Sequence, residues 1–255
     1  LVLEYHWRLG WSILGIAGLL LFFLNGMLLR DRPEKMGLSP WGELLEERKK
    51  SPPSYQTVNL LGILKRGPFW MIGISYFAIS YGTYTMVDFI VTYGAMELSI
   101  PYPTASLFIT MIAFSGVIGG VLLMALSDYI GRKKCLVIIQ MLVVLGTLFI
   151  ISVGNHVPFL MVGMGGFGFL YGAIWPMYGA YARDYFPKEI TGVVLGLMTI
   201  FYGMGTMISP VLTGYLADIT GTFRWSFGMG ALAAFIAALL IGFLKGPKAF
   251  EKKED

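Results

Sequence analysis

The chain has 255 residues, of which 56% are hydrophobic and only 13% charged, and its mean hydropathy is +0.70. A soluble domain carries about a quarter charged residues, so this composition cannot cover a water-exposed surface. The formal charge of +4 raises nucleic acid as a partner, but the placement of the basic residues gives them another task.

Apolar blocks long enough to cross a hydrocarbon layer of about 30 Å, which takes about 20 helical residues, recur along the whole chain. Seven fall near 10–29, 69–92, 105–127, 135–153, 157–182, 191–217 and 225–245. None alternates polar and apolar every second residue, as a membrane strand would. The predicted fold class is all-α: a polytopic membrane helix bundle of seven transmembrane helices.

The first block, Leu9 to Leu29, is too long for a signal-peptide core and lacks a small-residue cleavage site. Segment 30–67 then carries Arg30, Arg32, Lys35, Arg48, Lys49, Lys50, Lys65 and Arg66. Arg132, Lys133 and Lys134 follow the third span, Arg183 and Lys188 the fifth, and Lys245, Lys248, Lys252 and Lys253 the last. With alternating spans, 17 of the 19 basic residues share one side, and only Arg8 and Arg224 lie opposite. That bias predicts a multi-pass protein of the plasma (inner) membrane with a cytoplasmic C-terminus. The positive charge is topological and calls for no nucleic acid. The one cysteine, Cys135, allows no disulfide within the chain. His6 and His156, both on the outer side, read as interfacial residues. No metal and no cofactor is expected.

The second span carries Tyr76, Tyr81, Tyr84, Thr85 and Asp88. Asp88 is the only ionisable residue well inside any span, 19 residues beyond Phe69. At the helical rise that is roughly 28 Å, in the outer part of the bilayer. Tyr81 and Tyr84 precede it by seven and four positions and share its helix face. An embedded acid is costly, which makes Asp88 a candidate to carry a proton or meet a substrate. The fifth span adds Tyr171, Trp175 and Tyr178, and the sixth Thr199, Tyr202, Thr206 and Ser209. Polar side chains in a membrane face the bundle or a water-filled cavity. The predicted substrate or proton pathway is therefore Asp88, Tyr84, Tyr81, Tyr171, Trp175, Tyr178 and Tyr202. The first, fourth and seventh spans contain no Tyr and suit lipid-facing positions. Gly116, Gly119 and Gly120, then Gly163, Gly165, Gly166 and Gly168, then Gly192, Gly196, Gly203 and Gly205, mark helices that approach closely. Pro176 and Pro210 are expected to kink their helices.

Two places in the chain look alike. Trp7-Arg8-Leu9-Gly10-Trp11 opens the first span and Phe223-Arg224-Trp225-Ser226-Phe227 the last, an offset of 216 residues containing six spans. Parallel repeats of this kind occur in transporter folds. The repeat predicts that residues 1–29 end with the last helix of an earlier bundle outside this chain. Residues 30–67 then form a cytoplasmic central loop, 68–245 a six-helix bundle and 246–255 a cytoplasmic tail.

After the third span comes Leu126-Ser127-Asp128-Tyr129-Ile130-Gly131-Arg132-Lys133. It resembles the cytoplasmic loop signature of the major facilitator superfamily, Gly-x-Leu-Ala-Asp-Arg-x-Gly-Arg-Lys. Leu126, Asp128, Gly131, Arg132 and Lys133 match, while Met124 and Tyr129 replace the first Gly and the first Arg. Gly214-Tyr215-Leu216-Ala217-Asp218 repeats the start of the pattern on the outer side. Trp175-Pro176 with Arg183-Asp184-Tyr185-Phe186-Pro187, and Arg32-Pro33-Glu34 with Gly37-Leu38-Ser39-Pro40, resemble the monocarboxylate and oxalate–formate antiporter branch.

The resemblance covers family helices 6–12 of a twelve-helix transporter. It implies two bundles rocking about a central site lined by family helices 7, 8, 10 and 11, the second, third, fifth and sixth spans here. The implied function is secondary active transport of a small organic solute, an organic (mono)carboxylate, by proton symport or exchange. Its partners would be that solute, the lipid bilayer and the N-terminal bundle. Asp128, Gly131, Arg132 and Lys133 form the conformational loop motif: Asp128 is expected to accept backbone N–H groups of a neighbouring helix, and the cations to anchor to headgroups. Dicarboxylate antiporters of the family use cations in their eighth and eleventh helices. Residues 105–127 and 191–217 hold no Lys, Arg or His, which favours a monoanion, a neutral solute or a drug-like compound over a dianion. The competing readings are a solute-binding receptor or scaffold, drug efflux, and a membrane enzyme. The last lacks the clustered catalytic groups it would need.

The orientation is testable with a membrane-impermeant thiol reagent. Cysteines placed at Glu97 or Asn155 should label from outside, and those at Lys50 or Lys252 only after permeabilisation.

Overall fold

The computed structural model describes residues 7–29, 60–187 and 190–246. Most of the expected central loop, the tail beyond Gly246, His6 and Lys188 lie outside the described residues. The chain divides into two units, Leu1–Gln56 and Thr57–Asp255. In the first, α1 runs Trp7–Leu28 and exposes its large apolar side chains along its length, from Trp11 to Leu28.

The second unit holds the short α2 (Leu60–Leu64) and six long helices. These are α3 (Gly67–Thr92), α4 (Tyr102–Ile130), α5 (Arg132–Val153), α6 (Val157–Arg183), α7 (Thr191–Thr220) and α8 (Arg224–Phe243). Together with α1 they are the seven predicted spans, and no boundary moves by more than three residues. The start points follow from chemistry: α3, α4 and α6 each have proline in the first turn, where a missing N–H costs nothing. Gly131, at φ +92°, separates α4 from α5 in a conformation that a side chain resists. Six helices, all but α3 and the short α2, are apolar and long enough to cross a membrane. At 26 residues α3 reaches about 39 Å, but Ser75, Tyr76, Ser80, Tyr81, Thr83, Tyr84, Thr85 and Asp88 make it less apolar. It continues into a π-helical turn, Tyr93–Glu97, that the sequence did not announce.

Packing follows the glycines. Helix α4 lies against α6, α3 against α7 and α8, and α5 against α6 and α8. A Cβ on Gly119 would strike the Phe169 carbonyl, and one on Gly172 the Gly116 carbonyl. On Gly168 it would come within 2.5 Å of the Ile112 backbone, and on Gly205 within 2.5 Å of the Phe77 carbonyl. Gly82 and Gly230 meet in the same way between α3 and α8. By contrast Gly165, Gly166, Gly192, Gly196 and Gly203 face open space, so close approach accounts for only some of the glycine-rich stretches.

The Tyr-free helices are less peripheral than their composition implies. Helix α8 buries Ala231, Ala234, Ala237, Ala238 and Ile241, and α5 buries Leu136, Ile139, Gln140, Val143 and Thr147. Helices α4 and α7 leave broad apolar faces exposed, including Phe114, Val117 and Val121, and Met207 and Val211. An apolar residue suits lipid and bundle interior equally, so composition alone could not separate the two faces.

Two substitutions test the glycine seam. Gly119→Val should strongly destabilise the purified protein in a thermal melt, beyond the roughly 1–3 kcal/mol of ordinary overpacking, because the obstacle is backbone. Gly146→Ala, with nothing within 4 Å of its added Cβ, should melt as the parent does.

Candidate functional site

The long α3 presents tyrosines to both α6 and α7. Tyr76 stacks on Tyr178 with ring centroids 4.3 Å apart and lies 5.1 Å from Tyr202. One face further along, Tyr84 meets Tyr171 edge-on at 6.1 Å and Tyr202 at 5.9 Å. The Tyr202 hydroxyl donates to that of Tyr84 at 2.9 Å. Five aromatic side chains from three helices thus form one continuous cluster.

A hydrogen-bonded chain holds it in place. Gln140 Nε2 donates to the Tyr178 hydroxyl at 2.6 Å, Tyr178 bonds Ser75 Oγ, and Ser75 donates to the Ala237 carbonyl at 2.9 Å. A hydroxyl has one proton to give. Ser75 spends its own on Ala237, so Tyr178 must donate to Ser75. The order Gln140, Tyr178, Ser75, Ala237 ties α5, α6, α3 and α8 together. A second set lies nearer the Asp88 end of α3: Thr85 donates to the Tyr81 carbonyl at 2.9 Å, while Ser209 at 3.0 Å and Thr213 at 3.3 Å bond its Oγ1.

Beside the aromatic cluster opens a cleft of about 280 Å³ between α4, α6 and α7. Tyr76 reaches it from α3, Met124 from α4, Trp175, Pro176 and Arg183 from α6, and Leu195, Met198 and Thr199 from α7. Trp175 is 61% exposed. Apolar walls with a few polar groups are the usual composition of a small-solute site.

The end of the bundle carrying the loop motif is braced by charge. Arg132 pairs with Asp184 after α6 and lies 3.6 Å from Asp128, and it reaches the Ala180 carbonyl. Lys133 donates to the Leu244 carbonyl at 2.8 Å. Asp128 was expected to cap a neighbouring helix, but its carboxylate faces Arg132 on the next turn of chain, and the brace between helices runs through Asp184 instead. At the opposite end Glu97 closes the π-helical turn onto α8. Its two oxygens accept from the Thr222 hydroxyl at 2.6 Å and the Phe223 N–H at 2.8 Å, with Arg224 at 3.4 Å. That engagement makes exposed Asn155 the better site for an outside probe.

Of the sequence-predicted residues, Tyr84, Tyr171, Tyr178 and Tyr202 come together, and Trp175 lines the adjoining cleft. Tyr81 is buried and outside the ring cluster. Asp88 is exposed, twelve residues or about 18 Å along α3 from Tyr76, and the described hydrogen bonds and ion pairs do not include it. Sequence reasoning passed over Ser75 and Gln140. The signal for Gln140 was present, a lone amide in an otherwise apolar span. It also assigned Arg183 only to the basic loop.

Together these features define a multi-pass α-helical membrane protein with an aromatic cleft between its helices. The chain belongs to the Major Facilitator Superfamily, whose family model matches residues 78–255. It is 24% identical over 258 residues to the membrane sensor protein UhpC of Salmonella typhimurium, covering 94% of this chain and 56% of that protein. It is 28% identical over 193 residues to the probable galactarate/D-glucarate transporter GudP of Escherichia coli, covering 70% of this chain and 42% of that protein. The chain spans about half the length of these relatives. The crystal structure of the E. coli fucose:proton symporter FucP superimposes with a TM-score of 0.63 at 14% identity, over 72% of this chain and 44% of that one, and shows the same fold.

Removing one hydroxyl tests the polar chain. Tyr178→Phe leaves Gln140 and Ser75 without their buried partner and should cost about 1–3 kcal/mol of stability, read by denaturant or thermal unfolding in detergent.

Proposed function

We propose that the full-length protein carries a small organic solute, an organic carboxylate, across the membrane by alternating access. The observation that carries this reading is the cleft at the meeting of α3, α4, α6 and α7, walled by Tyr76 and Trp175 and bordered by Arg183. Its volume of about 280 Å³ matches a small solute and its rings suit a sugar-like or short organic skeleton. Relatives named for galactarate/D-glucarate transport and a neighbour named as a fucose:proton symporter support a hydrophilic, proton-linked substrate. In this reading the loop-motif end is cytoplasmic. A second bundle completes the cleft from the side where α4 and α7 leave exposed apolar faces.

A second reading has one specific support: the relative covering 94% of this chain is named a membrane sensor. A receptor would bind solute in the same cleft without releasing it on the other side. Counterflow by the full-length protein in liposomes separates the two, since a receptor gives binding without solute-accelerated exchange. Absence of exchange for organic acids, sugars and sugar acids alike would sink the transport reading.

Asp88 is proposed as the proton-carrying group, being an acid set well inside the predicted second span, whereas Asp128 and Asp218 stand in the last turns of α4 and α7. Asp88→Asn in the full-length protein should express normally and take up solute with a flat pH profile. An unchanged profile would make Asp88 structural.

A further inference from the structure

We propose that Arg183 is the anion-binding group of the cleft, taking the carboxylate of an organic monoanion whose remaining skeleton lies against Tyr76 and Trp175. This rests on the carboxylate-transport reading above and adds the counter-charge that reading lacks, since neither α4 nor α7 contains a Lys, Arg or His.

Three observations lead to Arg183. The first is placement. Trp175, Gly179 and Arg183 all line the cleft from α6, and their spacing of four puts them on one helix face. Gly179 carries no side chain, and a Cβ there would stand 3.7 Å from Leu195 of α7 on the facing wall. The second is availability. Arg132 is engaged by Asp184 and Asp128, and Lys133 by the Leu244 carbonyl. Arg183, although it directly precedes Asp184, is exposed, and its guanidinium forms no ion pair or hydrogen bond with the described residues. The third is the character of the remaining lining. It contains no carboxylate, only the Tyr76 and Thr199 hydroxyls and the Trp175 indole N–H beside apolar groups. A solute carboxylate therefore meets one full positive charge, in a planar fork that bonds both its oxygens. One cation balances a monoanion and leaves a dianion half compensated.

A cysteine in the cleft reads this charge without knowledge of the natural solute. In the full-length protein, freed of other reactive cysteines, Thr199→Cys would be treated with two methanethiosulfonates of similar size, the anionic sulfonatoethyl and the cationic trimethylammonioethyl reagents. After correction for their rates with a free thiol, the anionic reagent should react about three- to tenfold faster, as expected for one charge within a Debye length in a partly screened cleft. Arg183→Gln should abolish that preference and Arg183→Lys should keep most of it. D-glucuronate, a monoanion, should slow labelling by neutral methyl methanethiosulfonate in the parent but not in Arg183→Gln, while D-glucose should act alike in both. A preference that is absent in the parent, or that survives Arg183→Gln, overturns the proposal. Counterflow of the same protein is read separately. An Arg183-dependent preference without exchange removes the transport reading and keeps the anion site, and exchange with no Arg183 dependence does the reverse.

Discussion

Helices in a bilayer gain little by hiding apolar surface from one another, because lipid is as apolar as leucine. What holds them is the closeness of their contact, and here the closest is the seam between α4 and α6. Gly119, Gly168 and Gly172 let the two backbones touch where a Cβ would collide with backbone of the other helix, and at Gly116 a Cβ would stand 3.3 Å from the Gly168 carbonyl. The dispersion lost by even a small gap is a large share of each contact, so the seam tolerates no drift. It fixes α6, and α6 in turn supplies Trp175, Tyr178 and Arg183 to the site. Met124, standing where the family signature has glycine, lines the cleft from the other half of the seam.

Side-chain hydrogen bonds then orient what the glycines bring close. Three buried hydroxyls on α3 have partners on other helices: Ser75 on α6 and α8, Ser80 on α7 through the Tyr202 carbonyl, and Thr85 on α7 through Ser209, while Thr83 bonds within α3, to the Ile79 carbonyl. With no water at that depth, such groups must find partners inside the protein. The polarity that lowers the hydropathy of α3 is therefore what makes it the central helix.

How much of this could be read from the sequence divides along physical lines. Span positions were legible because crossing the hydrocarbon imposes a length, and the turn at Gly131 because its motif requires a glycine there. The tyrosine cluster was half legible: polarity marked α3, α6 and α7, and four of its members were named. Tyr81 and Asp88 share a face with Tyr84 by spacing, yet that face is buried at Tyr81 and exposed at Asp88, because the neighbouring helices do not cover α3 evenly along its length. Periodicity reports direction around a helix and says nothing of what lies beyond it. Ser75 and Gln140 were overlooked for the same reason, since their partner Tyr178 is 103 and 38 residues away in sequence. The clamp of Glu97 on α8 needed the π-helical turn, which no local pattern signalled.

The hydrogen bonds also say where the site can change shape. Those of α6 run to α3 and α5, through Tyr178, Ser75 and Gln140. Those of α7 run to α3 and α8, through Tyr202, Ser209 and Thr213 with their partners Tyr84, Thr85 and Ser226. Both walls of the cleft thus bond to α3, and they face each other across the largely apolar side chains of Leu195, Met198, Trp175 and Pro176. Both ends of the bundle are tied, by Arg132 with Asp184 at one and by Glu97 with Phe223 at the other. Neither tie joins α6 directly to α7. Helix α3 is the common partner, and its Tyr76 touches Tyr178 on one side and Tyr202 on the other. Tyr84 spans the same pair of helices between Tyr171 and Tyr202, so any displacement of one wall against the other is met at these two tyrosines, of which Tyr76 also lines the cleft.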